Sequence, residues 1–136
     1  MPRNQRGQAT ILVLGMTMLV LGVVGLAVDG TKAFIYRRTL QTAADAAALA
    51  GAGELDVSKY YSSRGRAIAL DPGEAGYAAR RWLTLRGLEA RTSVSVEENM
   101  VTVRIRGEVP TLFLRIIGLE RVPVAVEAAS SPLPAR

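Results

Sequence analysis

The chain has 136 residues, no cysteine and no histidine, which excludes disulfides, Cys/His zinc sites and any nucleophile paired with an imidazole. Its formal net charge of +5 comes from 17 basic and 12 acidic residues. Beyond residue 28 the two signs are interspersed and do not form the dense basic stripe of a nucleic-acid binder.

Met1 to Gly7 is short and polar, with Arg3 and Arg6 as its charged side chains. Ala9 to Val28 contains no charge, and about 20 apolar residues are what a helix needs to cross a bilayer core. Asp29 brings the next charge; Gly30 is a weak point, but nothing through Ala52 stops a helix. One helix over residues 8–54 would span roughly 70 Å at 1.5 Å per residue, half of it in lipid and half projecting. Arg3 and Arg6 favour a cytoplasmic N-terminus, and Lys32, Arg37 and Arg38 on the far side weaken that bias.

At 100° per residue, Gly15, Met18, Gly22, Gly25 and Asp29 fall on one stripe, and Ala33, Tyr36, Leu40, Ala43, Ala44, Ala47 and Gly51 continue it. Small residues along one face let a second helix approach closely, so a helix-packing interface is expected at Gly15, Gly22, Gly25, Asp29, Tyr36, Leu40, Ala43, Ala44 and Ala47. Asp29 itself reads either as the water boundary, the expectation here, or as a polar contact with a neighbouring subunit or another helix's N-terminus. Asp45 is expected to be solvated, the alternative being a bond to Gln41 or Arg38.

Three fates are open to the N-terminus. An uncleaved signal anchor is the expectation. Prepilin-type cleavage between Gly7 and Gln8 would suit a basic leader ending in glycine, but Leu12 stands at the fifth mature position, where such proteins typically carry Glu. Conventional cleavage at Gly25-Leu26-Ala27 would require an unusually long signal peptide.

Gly25-Leu26-Ala27-Val28-Asp29, Tyr36, Arg38 and the run Leu40-Gln41-Thr42-Ala43-Ala44-Asp45-Ala46-Ala47-Ala48-Leu49-Ala50-Gly51-Ala52 together resemble the N-terminal module of TadE-like and TadG-like proteins of the tight-adherence (Tad/Flp) pilus machinery. The resemblance covers about residues 6 to 53. It implies a minor pilin, a pseudopilin or an assembly factor in the cytoplasmic membrane. The implied partners are other pilus or secretion-system membrane proteins, with self-association as a further option.

Gly51-Ala52-Gly53 ends the long helix; it is no nucleotide fingerprint, because no strand precedes it and the third glycine is absent. Leu55 to Leu70 reads as a loop with a helical turn near Ala67–Leu70. Asp71-Pro72-Gly73-Glu74 is a helix start: Asp71 caps, Pro72 suits the first turn, and Glu74 stands where a capping box places its acid. That helix should run to Arg86, stop at Gly87, and bury Tyr77, Ala78, Trp82 and Leu85. Val94 and Val96, then Val101, Val103 and Ile105, alternate with polar residues across a Glu98-Asn99 turn, which predicts an antiparallel hairpin with one apolar face. Pro110 breaks it. Leu112 to Gly118 should be a helical turn closing one end of the core. Val122, Val124 and Val126 predict a third strand, and Ser130 to Arg136 should fray. Val109-Pro110-Thr111-x-Phe113-Leu114, Ile117-Gly118 and a strand ending in alanines resemble the same family, less specifically.

The predicted fold is α+β: a long N-terminal transmembrane helix extended into a small pilin-like domain of about three antiparallel strands packed on helix. The predicted segments are a cytoplasmic N-terminus over 1–7, the transmembrane and extended helix over 8–54, an extracytoplasmic domain over 55–130 and a flexible tail over 131–136. No phosphate loop, metal cluster or nucleophile elbow stands in the sequence, so neither catalysis nor a cofactor is expected. The predicted function is structural and membrane-bound. The alternative is a membrane-tethered binding or adhesion module, or a scaffold of another secretion system.

Overall fold

The computed structural model describes residues 5–66 and 68–132. Most of the N-terminal segment and the last four residues of the expected tail lie outside these. The protein is α+β, with elements in the order α1 (Gln5–Ala52), α2 (Val57–Ser62), α3 (Pro72–Arg86), β1 (Arg91–Glu97), β2 (Met100–Pro110), a 3-10 turn (Leu114–Ile117) and β3 (Arg121–Ser130). The strands form one antiparallel sheet in the order β1-β2-β3. The chain divides into two compact units, Met1–Phe34 with Val109–Val122, and Ile35–Glu108 with Pro123–Arg136.

In the second unit the distal half of α1 lies against the sheet. Leu40, Ala44 and Ala47 have essentially no exposure, and on the sheet Val101, Val103 and Ile105 are equally buried. Glycine at position 51 permits close approach: an added Cβ would lie 2.8 Å from the Ala75 carbonyl oxygen and 3.0 Å from Val101 Cγ1. Tyr36 lies against Gly107, and its hydroxyl points at the Glu89 carbonyl, 3.5 Å away. Gln41 donates to Asp45 Oδ1 at 3.0 Å and to the Glu127 carbonyl of β3 at 3.2 Å. Asp45 is therefore hydrogen-bonded, contrary to the expectation that it is merely solvated.

Helix α3 begins and ends as its caps dictate. Asp71 Oδ1 accepts from the backbone N–H groups of Gly73 and Glu74, and Gly87 closes the helix at φ 58. The expected buried face is wrong, however. Ala75, Gly76, Ala79 and Leu83 are buried, while Tyr77 and Leu85 are 59% and 77% exposed. The helix packs on β1 by its small residues, so the large ones face outward. Trp82, expected in the core, is only partly covered and carries the Arg86 guanidinium 4.7 Å from its ring centre.

Residues 55–70 are not a plain loop. Asp56 caps α2 by accepting from the Lys59 N–H at 3.0 Å. A short antiparallel bridge pairs Leu55 with Leu70. Ala67, in the expected helical turn, lies outside the described residues, and Ile68 to Leu70 are not helical. They are instead tied to the hairpin turn, where Asn99 Oδ1 accepts from the Leu70 N–H at 2.8 Å and Nδ2 donates to the Ile68 carbonyl at 3.2 Å.

The hairpin register runs from Arg91 opposite Arg106 to Glu97 opposite Met100, leaving Glu98-Asn99 as a two-residue turn. Glu98 adopts φ 52, a left-handed conformation that costs a residue with a Cβ roughly 1–2 kcal/mol. Glu98→Gly should raise the stability of the full chain in detergent micelles by about 0.5–1 kcal/mol, net of glycine's entropy in the unfolded state. A shift of the denaturant midpoint measures it.

Across β2 and β3, Arg104 Nε and Nη2 donate to Glu127 Oε2 and Oε1 at 2.6 and 3.3 Å. Arg104 holds the Glu127 carboxyl below its usual range. A carboxylate lowered on folding stabilises above its unfolded value, and that contribution disappears as pH falls through its folded value. Wild type should therefore exceed Glu127→Gln in melting temperature at neutral pH. The gap should close as pH falls through and below the ordinary carboxylate range, and it should be small, because both side chains are more than half exposed.

Candidate functional site

Asp29 stands one residue beyond the uncharged run of α1, yet it is only 3% exposed. Its Oδ1 accepts from the Leu112 N–H, and its Oδ2 from the N–H groups of Phe113 and Leu114, all at 2.8 Å. These amides lead into the 3-10 turn, where first-turn N–H groups have no acceptor within the turn itself. A carboxylate satisfies them with charge-assisted bonds, and burying it without such partners would be expensive. Asp29 thus does more than mark the water boundary: it holds the 111–120 loop of its own chain to the helix.

The loop is closed at its base by Thr111. Its N–H donates to the Glu120 carbonyl at 3.0 Å, and its hydroxyl donates to the Leu119 carbonyl. Phe113 sits directly on Gly25, where an added Cβ would lie 2.7 Å from Phe113 Cβ. Glycine at position 25 is what lets the ring reach the helix. The loop does not close the core, as its apolar sequence suggested: Ile116 and Ile117 are 80% and 73% exposed. Its apolar residues lie outward, while its backbone is held by Asp29.

The expected interface residues divide by location. Gly25 and Asp29 meet the 111–120 loop. Leu40, Ala43, Ala44 and Ala47 are buried inside the second unit, and Tyr36 is partly buried there. In these turns the residues lie against the chain's own sheet and loop. Gly15 and Gly22 have open space where a side chain would be, as does Gly7, and Gln8 is exposed on the same unbroken helix. Phe113 and the three amides were not identified from sequence. Backbone donors carry no side-chain signature, although Pro110-Thr111 and Gly118 bracket a tight loop whose amides need an acceptor.

Compared with known families, residues 7–54 match the Tad model, described as "Putative Flp pilus-assembly TadE/G-like". The match holds the uncharged run, Asp29 and the alanine-rich half of α1, and it points to involvement in Flp pilus assembly. No curated protein and no solved structure matches the chain.

Proposed function

We propose that the protein is a non-catalytic, single-pass membrane component of a Flp-type pilus assembly system, acting as a minor pilin, pseudopilin or assembly factor. Residues 1–7 would be cytoplasmic, 8–54 the spanning and projecting helix, 55–130 the extracytoplasmic domain and 131–136 a tail. Helix α1 is the observation that carries this reading. Ile11, Leu12, Leu14, Leu19 and Leu21 are all about 60% exposed or more, whereas further along the same helix Leu40, Ala44 and Ala47 are wholly buried. An apolar surface that long and that open on every side suits lipid. In that half, Gly15 and Gly22 are the notch into which a helix of another pilus membrane protein, or of a second copy, would fit.

Replacing both glycines by Leu tests the assignment. Neither has a neighbour that a side chain would strike, so the extracytoplasmic domain should remain folded while surface filaments are lost. Unchanged filaments would refute the contact. The mass of the protein from its native membrane separates the fates of the N-terminus: a start at Gln8 supports a filament subunit, and a start at Met1 or Pro2 a resident anchor.

One feature favours the second reading, a tethered binding module. The outer face of α3 carries a shallow groove of about 310 Å³ lined by Glu74, Tyr77, Ala78, Arg81, Trp82 and Leu85 together with Glu54. If ligand binding there were the whole function, an unrelated membrane anchor replacing residues 8–28 would preserve it. An assembly component would lose its activity.

A further inference from the structure

Within the first unit the 111–120 loop presents an apolar surface that, apart from Phe113 on Gly25, stays exposed among the described residues. Leu112, Ile116, Ile117 and Leu119 are 49%, 80%, 73% and 51% exposed, and Phe113 is 40% exposed even though it touches Gly25. The loop is also fixed in height along α1. Its amides bind Asp29, and Phe113 rests on Gly25, four residues back, which at 1.5 Å per residue is about 6 Å toward the uncharged run. Phe113 is thereby level with the last turn of that run. Isolated exposed apolar residues need no explanation, but a cluster held beside an apolar helix of membrane-spanning length does.

Resting on the membrane-spanning reading of α1, we infer that the 112–119 loop is a second membrane contact, immersed in the outer leaflet of the bilayer and pinned there by Asp29. The occupant is lipid, because Phe113 rests on Gly25 inside the uncharged run, where Leu21, Val24 and Leu26, one to four residues from Gly25 on the same helix, are 50–59% exposed. Arg115 within the loop supplies a cation at headgroup level, with its apolar neighbours Leu114, Ile116 and Ile117 beside it in sequence. A cation bordering an apolar patch suits the interface between hydrocarbon and water. The pinned loop then gives the chain a fixed depth and rotation that a lone spanning helix would lack.

The test uses the full chain with Trp82→Phe, so that a single introduced tryptophan reports. Ile117→Trp, Val20→Trp and Leu85→Trp variants are reconstituted into phosphatidylcholine–phosphatidylglycerol vesicles containing lipids brominated on their acyl chains. Val20 belongs to the apolar run, and Leu85 is exposed on α3 in the other unit. Tryptophan at 117 should emit to the blue of that at 85, be quenched by the brominated lipid, and resist aqueous acrylamide. Quenching at 20 but not at 117, with acrylamide reaching 117 and 85 equally, would overturn the inference and leave the spanning reading standing. Protection at 117 from both quenchers that fades as protein is diluted in lipid would overturn it in favour of a second copy covering the loop. Failure of brominated lipid to quench tryptophan at 20 would remove the spanning reading, and the inference with it.

Discussion

Asp29→Ala should release the 111–120 loop. The substitution removes the acceptor of three backbone N–H groups at once. Hydrogen bonds to a charged group contribute roughly 1.5–3 kcal/mol each, and water recovers part of the loss once the loop opens. A net local cost of about 2–4 kcal/mol follows, equivalent to a roughly 30- to 700-fold drop in protection. Hydrogen exchange at the Leu112, Phe113 and Leu114 amides should report that drop, while the Val101 and Val103 amides of the buried β2 core keep theirs. Asp29→Asn should fall between, because one oxygen remains to accept while the new NH₂ faces donors. Gly25→Ala should imitate part of the effect from the other side, since its methyl would need the space now held by Phe113. Unchanged exchange in Asp29→Ala would mean that the carboxylate does not hold the loop.

The second large effect belongs to the core. Leu40→Ala should destabilise the protein by about 2–5 kcal/mol, the range for deleting a fully buried leucine side chain and leaving a cavity. Leu40 has no exposed surface, while Leu49, on the same helix, is 68% exposed. Leu49→Ala should therefore change stability by no more than about 0.5 kcal/mol, and alanine's helix propensity favours it. The pair holds chemistry and element constant and varies burial alone. Denaturant unfolding of the full chain in detergent micelles, followed by Trp82 fluorescence, reads both. Equal effects would refute the assignment of the stripe to the core. The loss at Leu40 would be severe for this chain, because a small domain has only a few kcal/mol of net stability.

The buried face of α1 was legible because it obeys one rule over many turns. Of the stripe at helical spacing, Gly25, Asp29, Leu40, Ala43, Ala44, Ala47 and Gly51 are buried and Ala33 and Tyr36 partly so, whereas Gly15, Met18 and Gly22 are exposed. What covers the buried ones was not legible. Small residues accommodate a close sheet as readily as a close helix, and periodicity carries no information about the partner. Asp71 and Gly87 gave the limits of α3, since caps are local chemistry. Its buried face was misread for the opposite reason: Tyr77, Trp82 and Leu85 were weighted by size, whereas close packing on β1 selected Ala75, Gly76, Ala79 and Leu83. Helix α2 escaped notice because six residues are too few for a period, leaving the Asp56 cap as its signal. Pro123 within β3 was no obstacle, because β3 is an edge strand and needs no N–H on its open side. The Asp29 anchor joins residues more than 80 apart through backbone amides, which no side-chain pattern reports.

The central claim, a domain carried outside the membrane on a single spanning helix, is tested most directly by sidedness. The chain has no native cysteine, so Ser95→Cys, on the exposed surface of β1, provides one thiol in a near-isosteric substitution. Spheroplasts expressing this variant would be treated with a membrane-impermeant maleimide before and after lysis. Labelling as complete before lysis as after it is the predicted result. Labelling that appears only after lysis would place the domain in the cytoplasm and contradict the account.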